Sequence, residues 1–197
     1  MPVAYVLGNG PSRLALDLAL LRKDPTAVIF GCNAIHRDFK PDYIVAIDPD
    51  PIAELRNSDF PQHRILVPMR HEHWEPPELH RGVPNARRSN AGVNAVREAI
   101  RRDLSPIYLI GFDFLLKDPV KATDNVYDGT PTYEKERRAN AADSLPRAAY
   151  LDHTIRTMGD GTSFVVVVPR NGTQTIRLSS PNVRYVTMDN LIKQLSS

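Results

Sequence analysis

The run Phe164-Val165-Val166-Val167-Val168 has no polar residue to turn toward water. A strand with one wet face alternates apolar and polar side chains, so this one must be covered on both faces. That restricts the chain to a sheet lying between helical layers. Strands are predicted at Val3–Leu7, Ala27–Phe30, Tyr43–Ile47, Arg64–Pro68, Pro106–Ile110, Ser163–Val168 and Val183–Val186. Helical patterns separate them, at Ser12–Leu21, Pro51–Arg56, Asn90–Arg102, Ser144–Met158 and Asp189–Leu195. Strands joined by crossover helices predict a doubly wound, mostly parallel α/β sheet of Rossmann-like type. The 197 residues suffice for one buried core, so a single domain over 1–197 is expected. Two irregular stretches interrupt it. Met69–Ser89 is rich in His, Pro and Arg, and Lys117–Arg138 in Asp, Thr and Tyr. Connections this long inside a domain serve as lids or binding loops, or are disordered.

Bulk charge selects no partner class, because 25 Lys and Arg stand against 23 Asp and Glu. The pairs Arg87-Arg88, Arg101-Arg102 and Arg137-Arg138 are short and separated. They read as solvated helix faces or as a rim for a phosphorylated ligand, and no nucleic-acid module is visible. No apolar stretch is long enough to span a membrane, and the N-terminus opens on a strand rather than a signal peptide. The lone Cys32 excludes an intramolecular disulfide and a Cys-based zinc site, so a reducing, cytoplasmic setting is expected. His71 and His73 could meet a metal with His63 or His80. There is no HExxH helix and no carboxylate partner at fixed spacing, and no metal site is assigned.

In an open α/β sheet, ligands bind beyond the carboxyl ends of the strands. Those ends read Gly8-Asn9-Gly10, Gly31-Cys32-Asn33, Asp48-Pro49-Asp50, "VPMRHEHW" and Gly111-Phe112-Asp113. One such ending would mark a turn; five in succession predict a crevice lined by amides, carboxylates and glycines. Gly8 and Gly10 frame a tight turn, Pro11 opens the next helix and Ser12 is placed to cap it, which makes this turn a candidate anion site. "GNGPSR" lacks the third glycine of the dinucleotide fingerprint, and no P-loop lysine follows. Asn9 and Asn33 can read a ribose or a base edge, or stabilise Asx turns. Asp48 and Asp113 can bind a hydroxylated ligand, hold a divalent cation, act as a base or cap a helix. Ser89 or Asn90 caps the helix of "SNAGVNAVREAI", where Gly92 permits close approach, giving a second candidate anion site. His153 is either a proton donor to a neighbouring site or a half-buried helix residue.

In their order, "VLGNGPS", "IFGCNAI" and "SNAGVNAVREAI" leading into "IYLIGFDF" resemble the signatures of bacterial CMP-sialic-acid-dependent sialyltransferases acting on lipooligosaccharide. They also resemble a broader family that includes the archaeal-type 6-hydroxymethylpterin diphosphokinases, to which "KPDYIVAIDPDP" and "IGFDF" with "YDG" are closer. The resemblance runs from Val3 to Gly129. The first likeness implies a CMP-sugar-type donor, with Asn9, Gly10, Asn33, and Ser89 or Asn90 with Gly92 on the cytidine nucleotide. It implies Gly111, Phe112 and Asp113 against ribose and cytosine, and Tyr127 or Tyr133 on the leaving phosphate. It departs at the catalytic base: where that family has a histidine shortly before the helix matching "LPRAAYL", this chain has "NAADS", and His153 lies too late. The second likeness implies that Asp48, Asp113 and a magnesium ion organise the phosphates.

Three functions are therefore expected as alternatives. The first is nucleotide-dependent glycosyl transfer to a small-molecule or glycan acceptor, with Asp113, Tyr127, Tyr133 and His153 as catalytic candidates. The second is magnesium-dependent diphosphate transfer to a small hydroxylated acceptor. The third is a non-catalytic binding or assembly protein on the same fold. The sequence leaves homo-oligomerisation open.

Overall fold

Each predicted apolar run becomes a strand. The computed structural model describes residues 1–69, 90–134, 144–170 and 174–197. Within them lie β1 (Ala4–Leu7), β2 (Val28–Cys32), β3 (Tyr43–Val45), β4 (Ile65–Leu66), β5 (Ile107–Ile110), β6 (Phe164–Val168) and β7 (Val183–Thr187). The α-helices are α1 (Pro49–Arg56), α2 (Ala91–Arg101), α3 (Ser144–Met158) and α4 (Met188–Ser196). All seven strands pair in parallel, in the order β4-β3-β2-β1-β5-β6-β7. The chain thus steps outward from β1 to β4, returns to β5 beside β1, and steps outward the other way. The crevice of a doubly wound sheet opens at such a reversal.

Alternation along the strands divides the core into two layers. Val6, Phe30, Val45 and Leu109 face α2 and α3, where they meet Val93, Val96, Ile100, Leu151 and Ile155. Tyr5, Leu7, Ile29, Ile44 and Ile110 face the opposite layer, built from Leu16, Leu21, Leu55 of α1 and Leu191 of α4. α2 shows why this sequence is helical and where it begins. Val93, Val96 and Ile100 recur at three- and four-residue spacing, and the Asn90 side chain accepts from the Val93 N–H at 2.9 Å. Val93 and Val96 are fully buried, each contributing about 1.5–3 kcal/mol. The polyvaline strand β6 is buried from Phe164 to Val167 although it is next to an edge, because helices cover both its faces. Among the described residues no helix is long and apolar enough to cross a membrane.

The helix expected over Ser12–Leu21 does not form. In its place stand two 3-10 helices, Pro11–Ala15 and Leu18–Lys23, with Leu16 and Asp17 extended between them. Asp17 is the reason. Its carboxylate accepts from the Ala19 N–H at 3.0 Å, competing with helical hydrogen bonding at that point. The break lets Leu16 and Leu21 reach the core while Leu14 stays exposed. A further 3-10 helix, Asn33–Arg37, follows β2 where no element is predicted. Of the two irregular stretches, residues 70–89 of the first lie outside the described residues. The second, followed to residue 134, is a chain of turns that buries Ala122 and Tyr127.

Candidate functional site

Level strand ends make the crevice. Leu7 pairs with Gly31 on one side and with Ile110 on the other, so Gly8, Cys32 and Gly111 leave the sheet at nearly one height. Beyond them lies a cavity of about 590 Å³, within the range of small-ligand sites. Of the predicted site residues, Gly8, Asn9, Gly10, Asn33, Asp48, Asn90, Gly92, Gly111, Phe112, Asp113 and Tyr133 line it. Ser89 lies outside the described residues, as do His71, His73 and His80.

The first turn already holds its anion. Asp113 reaches back from the end of β5, and its Oδ2 accepts from the Ser12 N–H at 2.9 Å while its Oδ1 accepts from the Ser12 hydroxyl. Ser12 therefore does not cap its own helix, contrary to the sequence reading, and it does not line the cavity. Gly10 makes the arrangement feasible, since a Cβ there would stand 2.6 Å from the Asp113 Cβ. Burial raises the Asp113 pKa, the two Ser12 hydrogen bonds oppose that, and Asp124 adds to it. A carboxylate committed to Ser12 holds the turn together and is poorly placed as a free base.

Tyr127 and His153 are corrected more fully. Tyr127 lies behind the cavity wall, where its hydroxyl donates to Asp38 at 2.7 Å and accepts from Arg13 at 2.7 Å. Burial pushes its pKa well above the ordinary tyrosine value, and no ligand in the crevice could touch it. His153 sits half-buried on α3, away from the cavity lining. Helical periodicity explains the second error: the turn of α3 that lines the cavity carries Arg147, six residues earlier.

Three side-chain oxygens converge on the cavity without hydrogen-bond partners: Asn9 Oδ1, Asn33 Oδ1 and Tyr133 Oη. Buried polar atoms are nearly always paired, so three orphans on residues lining one cavity set it apart from the rest of the core. Tyr133 is pushed up to about 12 by burial, with Asn33 close enough to oppose the shift, so its hydroxyl is a neutral donor at physiological pH. The N–H groups of Ala91 and Gly92 begin α2, beside the Phe112 ring, and have no acceptor among the described residues. The Asn9 carbonyl accepts from the Val126 N–H at 2.9 Å, which ties the 117–134 segment to the first turn.

Sequence reasoning missed Arg147, Asp124 and Asp128, which also line the cavity. Topology could have found Arg147: a helix that follows a parallel strand starts at the carboxyl edge, so the first turn of α3 belongs there as surely as that of α2. Asp124 and Asp128 come from the turn-rich segment, where no periodicity marks orientation. Carboxylates outnumber guanidinium groups on the described lining, with Asp48, Asp50, Asp113, Asp124, Asp128 and Glu134 against Arg147. Among the described residues no group of three His, Cys, Asp or Glu is placed to hold a metal ion. A magnesium site bridging Asp48 and Asp113 is thus not preformed, both Asp113 oxygens already accepting from Ser12.

Cys32 lines the cavity but is 3% exposed, and burial raises its thiol to about 12. It remains protonated and inert. Native protein is therefore expected to leave a disulfide reagent such as DTNB unreacted at pH 8 and to react fully once unfolded. Fast labelling of the native protein would contradict this burial. Compared with known proteins, the chain matches no family model, no curated protein and no solved structure at a significant level.

Proposed function

We propose that the crevice binds a nucleotide and that the protein is a nucleotide-dependent transferase of glycosyl-transfer type. The observation that carries this reading is the convergence of the Asn9, Asn33 and Tyr133 oxygens on one cavity beside the open start of α2. The Ala91 and Gly92 amides would receive the phosphate. Asn9 and Asn33 would accept from ribose hydroxyls or a base amine, and the neutral Tyr133 hydroxyl would donate to the departing phosphate. An acceptor hydroxyl attacks the anomeric carbon, the bond from that carbon to the phosphate oxygen breaks, and the electron pair leaves with the nucleotide. The acceptor's proton passes to a cavity carboxylate, since His153 is elsewhere. A reducing, cytoplasmic setting suits the lone buried thiol.

The carboxylate-rich lining favours a second reading, diphosphate transfer from a triphosphate carried in with magnesium, the ion separating the phosphates from Asp48 and its neighbours. One experiment separates the two. Melting temperature is measured against CMP, CDP, CTP, ATP, GDP and UDP, with and without magnesium. A rise with CMP or CDP that ignores the metal supports glycosyl transfer. A magnesium-dependent rise with a triphosphate favours the second reading, and no rise with any of them removes both and leaves a non-catalytic role for the fold. In the supporting case Tyr133→Phe is expected to weaken binding about tenfold or more, because a hydrogen bond to a charged phosphate is lost while the ring remains. Unchanged affinity would take Tyr133 out of the site.

A further inference from the structure

Tyr133, which lines the cavity, directly follows a residue with an unfavourable backbone. Thr132 has φ +70°, a conformation that β-branched residues rarely adopt. Something outside the residue must maintain it. Within the turn the Tyr133 N–H donates to the Thr130 carbonyl and the Gly129 N–H to the Tyr133 carbonyl, each at 2.9 Å, and from outside it is fastened at one guanidinium. Arg37 Nε and Nη2 each donate to a Glu54 oxygen at 2.6 Å, Nη1 donates to Thr130 Oγ1 at 2.7 Å, and Nη2 also donates to the Pro131 carbonyl at 3.0 Å. The Thr132 hydroxyl donates to Glu54 at 3.4 Å. Arg37 also stacks over the Tyr127 ring, 5.5 Å from its centroid, and that ring in turn lies 5.6 Å from the ring of Tyr133. Three parts of the chain thus meet at one guanidinium: the 3-10 helix after β2, α1, and the turn 130–133.

We propose that Arg37, which does not line the cavity, is a positioning residue that holds Tyr133 inside it by clamping Thr130 and Pro131 to Glu54. The importance of that position for ligand affinity rests on the nucleotide reading above. The clamp itself does not. A planar fork is required, because donors must reach Glu54, Thr130 and Pro131 at once; a lysine would keep the charge and lose the geometry. The clamp acts through Thr132, so the left-handed backbone there is the link between Arg37 and the tyrosine. Glycine takes that conformation without strain.

The test reads Tyr133 directly, before any ligand is added. Tyrosine ring-carbon NMR follows hydroxyl titration, with Tyr133→Phe identifying the signal, which burial is expected to push up to about 12 in the wild type. The Arg37 charge lowers the Tyr133 pKa, so its loss alone would raise the titration; in folded Arg37→Met the lost burial is expected to outweigh this and bring the titration down toward the ordinary value of 10.0. Arg37→Lys keeps the charge without the fork and should fall further, and adding Thr132→Gly to Arg37→Met should restore most of the shift. CMP affinity by calorimetry should drop about tenfold in Arg37→Met and recover with the same second change. An unmoved Tyr133 titration in folded Arg37→Lys, where the charge is kept, overturns the proposal, as does a rise in Arg37→Met. So does full function of Arg37→Lys, which would reduce Arg37 to neutralising Glu54. If Arg37→Met does not fold, Thr130→Val removes one arm of the clamp and is read in the same way, with a smaller fall expected and no fall counting against the clamp. A wild type that binds none of the nucleotides refutes the nucleotide reading alone, and the titration still judges the positioning.

Discussion

Gly10→Ala loses about 3 kcal/mol of folding stability or more, measured by denaturant unfolding, and Gly8→Ala loses at least as much. The two glycines fail for different reasons. At Gly10 the new methyl would lie 2.6 Å from both Cβ and Oδ1 of Asp113. Overpacking of that kind costs about 1–3 kcal/mol, and displacing the carboxylate forfeits two hydrogen bonds from Ser12 worth about 1.5–3 kcal/mol each when the acceptor is charged. At Gly8 the obstacle is backbone: the methyl would stand 3.0 Å from the Gly111 carbonyl carbon and nearer its oxygen. No rotamer can relieve that, so β1 and β5 must separate at their carboxyl ends. Gly129→Ala is the control. Its backbone has φ +79° but open space around it, so about 1 kcal/mol of conformational cost is all that is expected. Losses below 1 kcal/mol at both Gly8 and Gly10 would mean that the first turn is looser than described.

Asp38→Ala is expected to cost about 3 kcal/mol, clearly more than Arg13→Met. Arg13 is 2% exposed, and its Nη2 donates to Asp38 at 3.1 Å and to Tyr127 Oη at 2.7 Å. Removing Asp38 strands a buried cation against a neutral phenol that has itself lost its acceptor; stranding of this kind costs about 3–5 kcal/mol. The low end applies because the Asp38 side chain is 43% exposed. Arg13→Met removes the buried charge instead. Asp38 then turns to water, Tyr127 keeps its acceptor, and the methionine fills much of the space, for a cost of about 1–2 kcal/mol. Paired denaturation curves decide it. A larger loss for Arg13→Met would show that the guanidinium supports the 117–134 segment through packing on Tyr127 more than through charge.

Much of the fold was legible because its signals are local. The polyvaline run, the alternation of strand and helix patterns and the Asn90 cap each dictate structure within a few residues, and each stands where the sequence places it. The carboxyl-edge rule likewise located most of the cavity lining. The misreadings share another cause. Ser12, Tyr127 and Asp113 are occupied by partners 89 to 114 positions away in sequence. No pattern in a window of residues encodes such pairings. Asp17 is different, because its capacity to interrupt a helix was visible; the leucines around it outweighed it in the periodicity. Arg37 carries no motif, and only the folded chain brings it to Glu54 and Thr130.

The uneven lining of the crevice also makes it directional. Asp113 has both oxygens turned to Ser12, whereas the start of α2 presents N–H groups without acceptors among the described residues. A molecule with one anionic end would meet those N–H groups more favourably than the lining carboxylates, so one seating would be favoured over its reverse. Polarity of entry would then come from the uneven placement of backbone donors and carboxylates, with discrimination between head and tail preceding discrimination between one ligand and another.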